Sequence, residues 1–262
     1  SGAHRDPAPQ AHAVIPPFRE RYRRALRDER LRRSLLVFQR AWRATRDAAI
    51  GQLDREVPHV GAAAPSDEAR HRLVAAKDAV LADPAAARER FVRAFAARGG
   101  VVHDASTAED AREAVLRILQ GRGARLVAKG KSMVAEEVFL NHHLEQAGTR
   151  VVETDLGEWI IQLSRETPSH MVMPAIHKSR DQVAVLLEAE VGRPVDREDV
   201  GAMVALARGE LRRVFQDADA GIIGANALIA DTGTVMLVTN EGNGDLVSTL
   251  PKTLIVIAGW EK

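Results

Sequence analysis

Residues 218–251 read ADAGIIGANALIADTGTVMLVTNEGNGDLVSTLP, a stretch in which hydrophobic runs of strand length are broken by polar turns. Two turns stand out, Asp231-Thr232-Gly233-Thr234 and Asn240-Glu241-Gly242-Asn243-Gly244. Glycine and asparagine there permit positive φ and let backbone N–H groups converge on an anion. Between them Val235 to Thr239 is rich in β-branched residues and too short for a helix, so it predicts a buried strand. Polar turns held at the ends of rigid strands are where ligand sites are built.

Outward from this stretch, Leu254 to Ala258 predicts a closing strand, and the residues before it alternate strand with helix. Val101 to His103 predicts a short strand, and Thr107 with Asp110 forms a capping-box pattern opening a helix that ends near Gly121. Arg125 to Ala128 is the next strand, Ser132 to Gln146 the next helix, and Arg150 to Glu153 a third strand. Consecutive strand–helix–strand units favour a parallel sheet with right-handed crossovers. His170 to Met173 is a candidate fourth strand, with helices expected around 178–190 and 196–215. The expected fold class is α/β, a largely parallel sheet flanked by helices.

The first hundred residues carry a different pattern. Four prolines before Phe18 mark 1–17 as a flexible lead-in. Residues 18–100 read as a helical N-terminal region, leaving 101–262 as the α/β core. Leu31, Leu35, Phe38 and Trp42 recur at helical spacing among arginines, and further helices are expected from Asp67 to Leu81 and from Asp83-Pro84. Residues 1–50 hold twelve arginines, no lysine and five acids, an excess of seven positive charges in a chain whose formal net charge is +1. That balance excludes a global field for nucleic acid, and the arginine-rich helix is either a solvated face or a contact surface for an acidic partner.

With no cysteine in 262 residues, a thiol nucleophile and a thiolate-held cluster are excluded within this chain. No apolar run reaches the roughly 20 residues that span a bilayer, and a cytoplasmic protein is the expectation. GxGxxG is absent, so no dinucleotide fingerprint is present.

Four places carry candidate chemistry. Lys129-Gly130-Lys131-Ser132 lies where a strand gives way to a helix, and its N–H groups, cap hydroxyl and lysines suit a phosphate or carboxylate; ordinary capping with surface lysines explains it as well. Glu153, Asp155 and Glu158 follow a strand end, where acids orient ligands, bind a hard cation or act as bases, or simply cap a helix. Pro168 to Lys178 holds His170 and His177 at a spacing that matches no zinc pattern. Glu241, flanked by Asn240 and Gly242, is open to an approaching substrate and could serve as base or nucleophile, or be a solvated residue of a hairpin turn.

Five strings, KGKSMVAEEVFLN, VVETDLGEWI, PSHMVMPAIHK, IADTGTVMLVTNEGNG and LVSTLPKT, occur in this order and together resemble the amino-terminal domain of the lactate-utilisation B proteins of the LUD-domain family. The resemblance runs from about residue 20 to the chain end. It implies a fold similar to ribose-phosphate isomerase and the CoA transferases, and membership of an iron–sulfur system of several subunits oxidising L-lactate to pyruvate. Members of the family continue into a ferredoxin-like half whose cysteines hold 4Fe-4S clusters; this chain stops at Lys262 without them, so no cofactor is expected here and the chain alone is expected to be inactive. Its implied partners are the other lactate-utilisation subunits, a small carboxylate such as lactate or pyruvate, and a second copy of itself; neither nucleic acid nor a transmembrane segment is expected.

On this basis Lys129, Lys131 and Ser132, with the turn residues Thr232, Gly233, Thr234, Gly242 and Asn243, are expected to hold the anionic end. Glu153, Asp155, His177, Asn240 and Glu241 are expected to surround the reacting centre, with no metal. Two other classes of function remain: acyl transfer through a thioester on Glu241, as the CoA-transferase resemblance implies, and a noncatalytic assembly module using the arginine-rich helix.

Overall fold

Helix formers dominate the first hundred positions, and the computed structural model, which describes residues 17–56, 66–169, 173–239 and 241–262, places α1 (Phe18–Arg27), α2 (Glu29–Glu56), α3 (Ser66–Ala82) and α4 (Pro84–Ala96) there. The chain divides into two units, up to Asp47 and from Ala48 onward. In the first, Asp28 accepts the Leu31 N–H at 2.8 Å and opens α2. Leu31 is buried, Leu35 and Phe38 are half-buried and Trp42 is exposed under the Arg46 guanidinium, so burial of the expected apolar face falls off from Leu31 to Trp42.

In the second unit local signals act as read. Asp83 accepts the Ala86 N–H with Pro84 at the first helical position of α4. Thr107 and Asp110 exchange hydrogen bonds at the start of α5 (Ala108–Gly121). The sheet follows: β1 (Leu126–Lys129), α6 (Met133–Glu137), α7 (Leu140–Gln146), β2 (Arg150–Glu153), α8 (Leu156–Leu163), α9 (Arg180–Val191), α10 (Val200–Asp217), β3 (Ala220–Ile223), β4 (Ala227–Ile229), β5 (Thr234–Met236), α11 (Asn243–Thr249) and β6 (Thr253–Val256).

Strands β2, β1, β3 and β6 lie in that order, all parallel. Side chains alternate across this sheet, as the period of two requires. Val127, Val151 and Ile222 pack with Leu119, Leu140 and Leu144 on one face. Ala128, Val152 and Ile223 pack with Trp159, Leu187, Leu211 and Phe215 on the other. The result is helices on both faces of a parallel sheet, with strands that are apolar on both sides. From β1 the chain crosses to β2 on one side, and it returns to β3 on the other. The sequence order therefore reverses between β1 and β3, and in open α/β sheets the crevice at the carboxyl ends of such a pair is where ligands sit.

Several expectations are corrected. Val101 to His103 forms no strand; Val101 is 72% exposed, and one strand–helix–strand unit stands where two were expected before Glu153. Of His170 to Met173, the first three residues lie outside the described ones and Met173 is not in a strand. Residues 235–239 are not a buried strand: β5 pairs with β4 alone in a two-stranded antiparallel ribbon, and Met236 and Val238 are exposed. The Glu241–Gly244 segment is not a hairpin turn. Gly242, at φ +75°, caps α11, and Gly244 lies against Thr239 and Leu237. The lead-in before Pro17 falls outside the described residues.

Helix α4 packs on the last residues of the chain. Trp260 meets Phe91 edge-on with ring centroids 6.1 Å apart, lies under the Arg88 guanidinium and donates its indole N–H to Asp104 at 3.2 Å.

Candidate functional site

Alternation along β1 puts Lys129 on the same face as Val127, and the parallel register sets it beside Glu153 of β2. Lys129 is fully buried. Its Nζ donates to Glu153 Oε1 at 2.7 Å and to Glu136 Oε1, on α6, at 2.9 Å. Asn141 of α7 donates to the same Glu153 oxygen at 2.5 Å, and the Glu153 N–H donates to Gln162 of α8 at 3.1 Å. Burial acts to depress the lysine, but the facing Glu153 and Glu136 charges outweigh it and hold the ammonium above its ordinary range. Burial pushes Glu153 up against the pull of Lys129.

Beyond the strand ends the chain turns through Gly130, Lys131 and Ser132. Ser132 accepts the Ala135 N–H and caps α6, and a Cβ on Gly224, just past β3, would lie 3.2 Å from the Ser132 hydroxyl oxygen. The turn after β1 and the end of β3 therefore meet at the crevice. Asp155 caps α8 by accepting from the Gly157 and Glu158 N–H groups. Two N–H groups in the first turn of α8 are thus already taken by a carboxylate of the chain itself. Burial, then the charge of Asp155, raises Glu241.

Glu158 sits in the first turn of α8, 5% exposed, with Oε1 3.6 Å from the Lys131 Nζ. Burial, followed by repulsion from Glu153, pushes its carboxyl up to about 7. Among the described residues, three buried acceptor atoms in this neighbourhood, Glu158 Oε2, Glu153 Oε2 and Asn141 Oδ1, have no hydrogen-bond partner. Such atoms are costly in a protein interior unless a proton, water or ligand reaches them. Because the folded state holds the Glu158 proton more tightly than the unfolded chain, its contribution to stability is full below about pH 4.5 and is lost as pH rises to about 7. Urea unfolding of wild type and Glu158→Gln between pH 4 and 8 should show the wild type losing stability relative to the variant across that window. Parallel curves would contradict the assignment.

The remaining expected residues fall elsewhere. His177 lies on Ser169 (Nδ1 to Oγ, 2.8 Å) and Glu166 (Nε2 to Oε2, 2.7 Å), while Lys178 pairs with the other Glu166 oxygen at 2.5 Å. Both Glu166 and Lys178 border a cavity of about 440 Å³ with Leu163, Gln182 and Val185, which includes none of the Lys129 group. Thr232, Gly233 and Thr234 form the β4–β5 turn, where Gly233 packs so closely on α4 that a Cβ would stand 2.4 Å from the Phe95 nitrogen. Gly242 and Asn243 begin α11 beside Glu241. Asn240 lies outside the described residues.

Sequence reasoning did not assign a site role to Glu136, Asn141 or Gln162, and left Glu158 among several acids. Helical geometry within α6, α7 and α8 gives no sign that the first three converge on the Lys129–Glu153 pair. Glu158 had a signal: it is a lone acid in LGEWIIQL, next to Trp159, Ile160 and Ile161, all buried.

The class is an open α/β domain whose ionisable side chains gather at the carboxyl ends of its central strands. The chain belongs to the LUD domain family, which matches residues 88–262. It is 38% identical to the electron transport protein YkgF of Escherichia coli strain K12 over 94% of the chain and 49% of that protein. It is 48% identical to lactate utilization protein B of Bacillus subtilis strain 168 over 64% of the chain and 35% of that protein, and 46% identical to the protein of the same name from Oceanobacillus iheyensis over 63% and 34%. The chain thus spans half or less of the length of these relatives. No solved structure matches it.

Proposed function

We propose that this chain is the ligand-holding LUD portion of a lactate-utilisation protein, binding a small carboxylate such as lactate or pyruvate at the crevice between β1 and β3. The observation that carries this is Lys131: its side chain is 30% exposed, at the strand end where the sequence order reverses, beside a buried acid. Lys129, expected to share the anionic end, is enclosed by Glu136 and Glu153, so the ligand's carboxylate falls to Lys131. Ser132 and Asp155 hold the turns that flank it, and Glu158 and Glu241 bound it. We assign His177, with Ser169 and Glu166, to holding residues 166–169 to 173–178, whose Pro174 lies against Gly157 at the start of α8.

The names of the relatives, lactate utilization and electron transport, support a redox setting for the whole protein. The residues present do not fit an iron–sulfur cluster, which needs thiolates that a chain without cysteine lacks; among the described residues no group of three histidines or acids suits a metal either. In this reading electrons are carried by polypeptide other than these 262 residues, including the other subunits of the system.

Calorimetric titration with lactate, pyruvate and acetate tests the reading. Binding is expected to weaken about 10- to 100-fold in Lys131→Met, the value of a charge-assisted hydrogen bond. Absence of binding by the wild type up to about 10 mM of all three ligands would sink it.

A further inference from the structure

We propose that the site takes up its carboxylate ligand together with one proton, and that Glu158 carries that proton; the proposal rests on the carboxylate reading above. The charges around Glu158 are uneven. Lys131 and Lys129 face it with Glu153 and Asp155, while Glu136 lies on Lys129 and Glu241 on Asp155 and Lys131. Glu145 adds another carboxylate beside Glu153, so among the described residues the carboxylates of this group outnumber the two ammonium groups. A further carboxylate entering this group adds another negative charge where burial already disfavours it.

Among these acids Glu158 is the one placed to give up its charge. Glu153 is held through Oε1 by Lys129 and Asn141, Glu136 by Lys129, and Asp155 by two N–H groups at the start of α8, while Glu241 is exposed to solvent. Glu158 has a 3.6 Å contact to Lys131 through one oxygen and a buried, unpartnered second oxygen where a proton can reside. Protonation converts the Glu158 carboxylate to the neutral acid. That removes the ion pair through which it competes for Lys131 and turns the ammonium toward the incoming anion. Its carboxyl, already raised to about 7 by burial and by Glu153, needs only a small further rise to accept the proton at neutral pH.

The experiment is calorimetric titration of the 262-residue chain with pyruvate from pH 6 to 9, in buffers of different ionisation enthalpy. Wild type should take up close to one proton per ligand at pH 8, and affinity should fall about tenfold per pH unit above neutrality. Glu158→Gln, neutral at every pH, should bind with no proton uptake, with a flat pH profile, and at pH 8 at least as tightly as wild type. An infrared difference spectrum on ligand addition should show a protonated carboxyl band in wild type that is missing in the variant. Wild-type binding without proton uptake, or uptake undiminished in Glu158→Gln, overturns the coupling and leaves the carboxylate reading standing. A wild type that binds none of the carboxylates at any pH overturns that reading, and the coupling with it.

Discussion

Replacing Lys129 by methionine should cost about 3–5 kcal/mol of folding stability, the cost of breaking a buried ion pair by removing one partner. The lysine is fully buried and satisfies Glu153, itself buried at the register position beside it, and Glu136. Without the ammonium, Glu153 is left as an interior acid facing Glu136, with Asn141 as its remaining side-chain donor. Methionine matches the length of the lysine stem, so the loss reports the charge more than a cavity. Adding Glu153→Gln to Lys129→Met should recover part of the loss, since the second change removes the uncompensated charge, and the double-mutant cycle isolates the coupling. Urea denaturation reads both. A single-variant cost under about 1 kcal/mol would mean the pair behaves as a surface ion pair and the interior assignment fails.

Gly221→Ala should cost about 3 kcal/mol, at the upper end of what overpacking does. Gly221 is central in β3, and a Cβ there would stand 2.2 Å from the carbonyl oxygen of Val247 in α11. Backbone cannot rotate out of the way as a side-chain end does, so α11 must lift off the sheet. Val247 is buried in the core face it shares with Ala128 and Ile223. The shift should propagate to Glu241 and Gly242, which lead into α11, so carboxylate affinity should fall together with stability. Gly121, at the end of α5, is the control: nothing lies within 4 Å of a Cβ there, and alanine should be neutral or slightly stabilising. Equal effects at both positions would show that close approach is not what β3 requires.

The two changes share a cause. Both Lys129 and Gly221 are in strands where sequence patterns point to turns or to ordinary apolar packing. The motif KGKS reads as a polar turn with two equivalent lysines, yet β1 extends one residue further than its apolar run, and that residue is Lys129. That extra position carries Lys129 into the interior, and the end of the strand leaves Lys131 at the edge. A difference of two positions separates the buried lysine from the one proposed to meet a ligand.

What the sequence determined by itself is local. Caps at Asp83, Thr107, Ser132 and Asp155, the stop near Gly99, the helices α5, α9 and α10 and the parallel character of the sheet follow from short-range chemistry, hydrogen bonds within a turn or one apolar period. Helices α8 and α11 are not among the expected ones, and the single helix expected from Ser132 to Gln146 is broken at Phe139 into α6 and α7. The five strings also identified the LUD family, which the match over residues 88–262 bears out. Tertiary structure decided the rest, because no local energy chooses it. The ribbon β4–β5 stands off the main sheet although Val235 to Thr239 has strand composition, since β-propensity does not select a partner. His177 belongs to Ser169 and Glu166, eight and eleven residues back, because a loop folds them together. The opening stretch 218–251 supplies β3 and α11 to the crevice and sends its first turn, Asp231 to Thr234, to α4. Glu136 and Glu153 converge on Lys129 from two elements, with Asn141 of a third holding Glu153, because a buried ammonium must gather its counter-charges wherever the fold can bring them.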